Sequence, residues 1–192
     1  MARHATPLNR IPRVCRRFHA IREQLQWTQR DAGQHLNVCS SLIQRIERGQ
    51  ERPGWRVAFA LRNEGFCLDW LYTERGPMLL SEPTPYSAGL FPLYRYSITP
   101  QQLHSIRAQL SLSQRRAATM FDTTAATWKR CESGQLEPKG TLLEALAERD
   151  VSINTLITGE GRLFRGMRFG SQIELALADS GEEGARRDVY TL

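Results

Sequence analysis

Residues 28–53 read TQRDAGQHLNVCSSLIQRIERGQERP, and residues 113–138 read SQRRAATMFDTTAATWKRCESGQLEP. The two stretches align without a gap at an offset of 85: Gln29, Arg30 and Ala32 recur as Gln114, Arg115 and Ala117, and Arg45, Glu47, Gly49, Gln50 and Pro53 as Arg130, Glu132, Gly134, Gln135 and Pro138. The register holds upstream, where His19, Ile21, Arg22, Gln24 and Leu25 return as His104, Ile106, Arg107, Gln109 and Leu110. It holds downstream as well, with Leu71, Thr73 and Gly76 returning as Leu156, Thr158 and Gly161. An ungapped match of that length is a duplication of one unit, so one reading serves both copies.

Within the unit, Val14, Phe18, Ile21 and Leu25 recur at helical spacing and define an apolar stripe. Thr28 followed by Asp31 is a capping box that opens a second helix, TQRDAGQHL. A third helix over 39–48 follows a short turn, in which Asn37 and its counterpart Asp122 occupy a position expected to need positive φ. Ala32 and Ala117 are small where the second and third helices must approach. Trp55, Ala58 and Leu61 mark a fourth helix and CLDWLYTERG a fifth. In the second copy, Thr141 with Glu144 is expected to cap the fourth helix, and Ser152 to begin the fifth. The expected fold is therefore all-α: two tandem five-helix domains, at 14–76 and 97–161. A basic arm (1–13) precedes them, a linker (77–96) with four prolines joins them, and a tail (162–192) follows. Each copy, at about 60 residues, is near the lower limit for a core that folds unaided. The linker also carries Tyr86, Phe91, Tyr94 and Tyr96, enough aromatic surface to pack on something.

Several classes of function find no support. No run approaches the ~18 apolar residues of a membrane span, and the N-terminus lacks the apolar core of a secretory signal, so a cytoplasmic location is expected. The first 22 residues hold six arginines and no acid, as transit peptides do, but Pro7 and Pro12 oppose the amphipathic helix such peptides need. The four cysteines, Cys15, Cys39, Cys67 and Cys131, sit singly with no CxxC pair and no histidine at ligand spacing, so neither metal nor disulfide framework is expected. There is no Gly-rich phosphate loop, HExxH or GxSxG, and the only lysines are Lys129 and Lys139. Neither an enzyme nor a cofactor is expected.

Both quoted stretches resemble the helix-turn-helix domain of the Cro and phage-repressor type, the XRE family, and CLDWLYTERGPM is similar to its fifth-helix ending. The resemblance covers about residues 14–76 and 99–161. It implies a sequence-specific DNA-binding transcription regulator of the repressor kind found in phages and mobile elements, with the third helix in the major groove of double-stranded DNA. Residue by residue, it implies base-facing positions at Ser40, Ser41, Gln44 and Arg45 in the first copy and Ala125, Ala126, Lys129 and Arg130 in the second. Gln29 with Arg30, and Gln114 with Arg115, are expected to hold phosphate at the start of helix two. The resemblance also implies structural ion pairs Arg22 with Glu47 and Arg107 with Glu132; four solvated charges are the plainer alternative. With lysine only at Lys129 and Lys139, both inside the second copy, a self-cleaving Ser/Lys domain is not expected.

Cys39 stands where the family places a Ser or Thr cap. A thiol at a helix N-terminus with a lowered pKa would make oxidation a switch on DNA binding, and a small substitute in a cap position is the plainer reading. His19 and His104 read as polar surface residues. The charge map favours the first copy as the tighter DNA binder, because residues 1–76 carry 13 basic residues against 7 acids and the remainder 13 against 13. The competing reading is a protein-interaction module, an antitoxin or co-regulator, in which the second domain, the linker or the tail binds a protein partner. RNA binding is disfavoured by the lack of an aromatic platform. Whether the chain forms a homodimer or uses both copies as a covalent pseudo-dimer stays open at this level.

Overall fold

A computed structural model describes residues 11–80 and 98–166. Residues 1–10 of the arm, residues 81–96 of the linker with its four aromatics, and most of the tail lie outside the described residues. Those described form an all-α structure of ten helices with no strand. The first five are α1 (Arg13–Gln24), α2 (Gln29–His35), α3 (Ser40–Glu47), α4 (Trp55–Asn63) and α5 (Leu68–Thr73). The second five are α6 (Ile98–Gln109), α7 (Gln114–Met120), α8 (Ala125–Glu132), α9 (Gly140–Glu148) and α10 (Ile153–Thr158). Every boundary in the second set is its counterpart in the first moved by 85 residues.

The punctuation between helices repeats as faithfully as the helices. Backbone at positive φ occurs at Gln26, Asn37, Gly49, Gly65, Glu74 and Gly76, and again 85 residues on at Ser111, Asp122, Gly134, Asp150, Gly159 and Gly161. Gly49 and Gly134 show why glycine follows the third helix. The chain turns left-handed there, and the next amides reach back into the helix, Gln50 to the Arg45 carbonyl at 2.9 Å and Gln135 to that of Arg130 at 2.8 Å. A Cβ on Gly49 would also stand 2.7 Å from Pro12 Cδ, so the start of α1 packs on the same turn.

Caps are less symmetric. Thr28 makes the full capping box with Asp31, while in the second copy only the Ser113 hydroxyl caps, accepting from the Arg116 amide. The expected Thr141–Glu144 cap is corrected: α9 starts two residues earlier than that cap implies, at Gly140 after Lys139, with no side-chain cap. Glu144 is turned instead toward Arg52 of the first copy. The chain also runs on past Gly76 and Gly161, because Leu79 bridges back to Phe66 and Phe164 to Val151, each antiparallel.

The two copies share one interior. A single buried cluster runs from Val14, Phe18, Ile43, Ile46, Leu61 and Leu71 into Leu103, Ile106, Trp128, Leu143, Leu146 and Leu156. The seam is built from α5 of the first copy against α9 and α10 of the second, with the start of α4 reaching Thr99 and Pro138. Its centre is a reciprocal exchange of helix caps: the Leu68 amide donates to Asn154 Oδ1 (3.0 Å), and the Ile153 amide donates to Asp69 Oδ1 (2.6 Å). Leu68 corresponds to Ile153 and Asp69 to Asn154, so the two bonds are one contact viewed from either side of a pseudo-two-fold axis. Ser152 Oγ and Asn154 Nδ2 donate to Asp69 Oδ2, and Arg165 lies 3.1 Å from Asp69 Oδ1, which leaves this carboxylate fully paired. Nearby, the Trp55 amide donates to the Pro138 carbonyl and its indole N–H to Thr99 Oγ1 at 2.9 Å. Ion pairs Arg52–Glu144, Arg56–Glu137 and Arg75–Asp150 rim the seam.

Candidate nucleic-acid interface

The α2–turn–α3 segment is held from beneath by side chains and presents its outer face to solvent. Ala32 and Gly33 are buried on α2, Ile43 and Ile46 on α3. A Cβ on Gly33 would stand 2.9 Å from the Val38 carbonyl, so the two helices meet backbone to backbone there. In the second copy Ala117 and Ala118 on α7 and Trp128 and Cys131 on α8 are the buried set. That choice leaves Ser40, Ser41 and Arg45 exposed with Gln44 half-buried; Ala125, Ala126, Lys129 and Arg130 are all exposed, as are Arg30 and Arg115. The structure thus brings each copy's set of sequence-predicted base-facing residues to one helix face.

Under α3 and under α8 lies the same polar joint. Arg22 Nε donates to Glu47 Oε1 and its NH1 to the Trp27 carbonyl, with the Arg22 and Glu47 side chains 11% and 9% exposed. Gln29 Nε2 donates to Glu47 Oε2 at 2.6 Å, and His19 Nδ1 lies 3.2 Å from Oε1. The second copy repeats it: Arg107 Nε to Glu132 Oε1 at 2.8 Å, Gln114 Nε2 to Oε2 at 2.8 Å, and His104 Nδ1 at 2.9 Å. Burial works against the Glu47 carboxylate, and hydrogen bonds from Arg22, Gln29 and His19 outweigh it, so its pKa falls below the ordinary value; Glu132 behaves alike through Arg107, Gln114 and His104. The joint ties helix one, the start of helix two and the end of helix three into one body.

Two expectations change here. The Gln29 and Gln114 side chains, expected to hold phosphate, each donate one amide N–H to a glutamate of the joint. The two histidines, read as plain surface residues, are part of the joint. The recurrence of His19 as His104 at the same spacing from Glu47 and Glu132 was the available signal, masked because an exposed histidine on helix one has many uses.

Arg45 is not free either. It pairs with Glu51, just beyond the Gly49 turn, while the matching position in the second copy is Leu136. The charge map shifts accordingly. Arg17, counted with the basic arm, is buried and donates to the Leu71 and Tyr72 carbonyls, while Arg52, Arg56 and Arg75 are engaged across the seam. Over 29–47 two basic residues stand against two acids, whereas over 114–132 four stand against two. Three arginines of the first half thus clasp acids of the second across the seam, and over the α2–α3 segment and its counterpart the second copy carries the larger local basic excess.

Beside the N-terminus of α3 is a hollow of about 450 Å³ lined by Arg30, Gly33, Asn37, Cys39 and Ser40 among others. Cys39 is exposed there and makes no side-chain cap bond, and the Ser41 hydroxyl, which donates to its Sγ at 3.2 Å, lowers its thiol pKa. All four cysteines are free, and the described residues contain no cluster that could hold a metal. Among them no helix is long and apolar enough to cross a membrane.

Residues 14–61 match the family model of a helix-turn-helix domain. The match spans α1 through most of α4 and includes the whole of α2, the turn and α3. No curated protein and no solved structure matches the chain.

Proposed function

We propose that the chain is a sequence-specific DNA-binding transcription regulator, a repressor of the XRE type, that lays α3 of the first copy and α8 of the second in the major groove of double-stranded DNA. The observation that carries this is the solvent face of α3, where Ser40, Ser41, Gln44 and Arg45 share one side of a helix whose other side is sealed into the core. The helix-turn-helix match over the same residues supports it. Ser, Gln and Arg side chains donate to and accept from base edges. In the second copy Lys129 and Arg130 keep that capacity, while Ala125 and Ala126 suit thymine methyl groups.

Phosphate contacts fall to Arg30, Arg115 and Arg116 in this reading, together with Gln29 and Gln114, which are oriented at the start of helix two by their bonds to Glu47 and Glu132. The alternative is a protein-interaction module, an antitoxin or co-regulator, in which the second domain mediates partner binding or dimerisation; the linker aromatics and most of the tail, its further contact surfaces, lie outside the described residues. Selection of binding sequences from random duplexes by the full chain tests the proposal. A recovered motif whose preference at one position relaxes in Arg45→Ala supports it; recovery of no motif at low salt overturns it.

A further inference from the structure

We infer that one chain, rather than a pair of chains, is the complete DNA-reading unit, and that it reads an operator whose two half-sites differ. This rests on the DNA-binding reading above. The pseudo-two-fold seam pairs the copies as a symmetric dimer would pair its subunits. The turn after α3 and the turn after α8 meet at the axis, through the Trp55 amide on the Pro138 carbonyl and Arg56 on Glu137 at 2.7 Å. Both reading helices run directly into these turns, so both flank the axis. Rotation about an axis preserves direction along it, and a face looking along the axis in one copy looks the same way in the other. The two-fold of a paired DNA site has the same form.

The seam is built for unlike halves. Trp55 of the first copy corresponds to Gly140 of the second, and a Cβ at Gly140 would stand 2.5 Å from the Pro53 and Arg52 carbonyl oxygens. A second first copy docked in the place of the second would put a tryptophan there. It would also set an aspartate where Asn154 now donates to Asp69, and Arg52 where Glu137 now receives Arg56. Steric, hydrogen-bond and charge matching all select the first copy with the second and disfavour the first with itself. The surface that would recruit another chain is already occupied within this one.

The reading faces differ in step with the seam. Ser40, Ser41 and Gln44 confront one half-site; Ala125, Ala126 and Lys129 confront the other. The operator should therefore be two dissimilar halves, with thymine favoured in the half read by α8.

The test uses the full chain. Sequences are selected from random duplexes, and the mass of the complex is measured by light scattering. The expected result is one chain per duplex on a motif of two unlike halves. Arg45→Ala should weaken preference in one half, and Arg130→Ala in the other, each by about tenfold or more. Replacing thymine by deoxyuridine in the α8 half, which removes only the methyl group, should weaken binding several-fold. Two chains on two identical halves, or a single half-site untouched by Arg130→Ala, would overturn the single-chain unit while leaving the DNA reading intact. Failure to select any motif would overturn both.

Discussion

Glu47 illustrates how one residue couples fold to function. It ends α3 and gathers Arg22, Gln29 and His19, so the reading helix is positioned by a charge that is nearly buried. Glu47→Ala strands Arg22, which keeps the Trp27 carbonyl and Glu23 as partners; unfolding in urea should show a loss of about 3 kcal/mol, the low end for a broken buried pair. The same joint sets an acid limit. With the folded pKa of Glu47 and Glu132 held below the unfolded value, their contribution is fully present above the unfolded value and is lost as pH falls through the folded one. Melting followed from pH 7 to pH 3 should therefore decline less steeply for Glu47→Gln than for the parent; equal slopes would remove the joint from the account. Arg45 supplies a second residue-scale test. Glu51→Leu, which copies the Leu136 of the second half, releases Arg45 from its partner and should tighten DNA binding with a steeper salt dependence. Unchanged affinity would mean that DNA already displaces Glu51.

At the scale of elements, helix starts and stops were largely legible. Thr28 with Asp31, Ser152, and the glycines after α3 and α8 work through their nearest neighbours, so their meaning is local. The Thr141–Glu144 pattern failed for the opposite reason, since Glu144 found a partner across the seam. Cys39 and Thr124 show what a cap adds at the same place. Thr124 Oγ1 accepts from the Thr127 amide at 3.1 Å, and Cys39 accepts no such bond. Cys39→Thr should raise the melting temperature and leave sequence preference unchanged; a fall would show that the thiol has a role a hydroxyl cannot fill. Thr28→Ala should cost about 1 kcal/mol, read by the same melts.

For the molecule as a whole, the shared core changes what a fragment can do. Cutting at residue 80 would expose Asp69, Trp55 and the α5 face, and would leave the amide of Leu68 without Asn154. The full chain should unfold in one transition, with midpoints by tryptophan fluorescence and by circular dichroism coinciding, because Trp55 sits at the seam and Trp128 within the second copy. Two separated transitions would show copies that fold independently.

The duplication, the five-helix unit, the buried stripes and the outward set on α3 were readable from the chain alone, because they depend on spacing along one helix or on residues a few positions apart. The pairing of the copies was not. Asp69 and Asn154 look like ordinary polar residues near a helix start, and Gly140 like a weak helix former; each acquires its meaning from a partner more than 80 residues away. Net charge along the chain is incomplete for the same reason: whether an arginine meets solvent or a carboxylate across the seam, as Arg52, Arg56 and Arg75 do, is decided by which surfaces tertiary packing brings together.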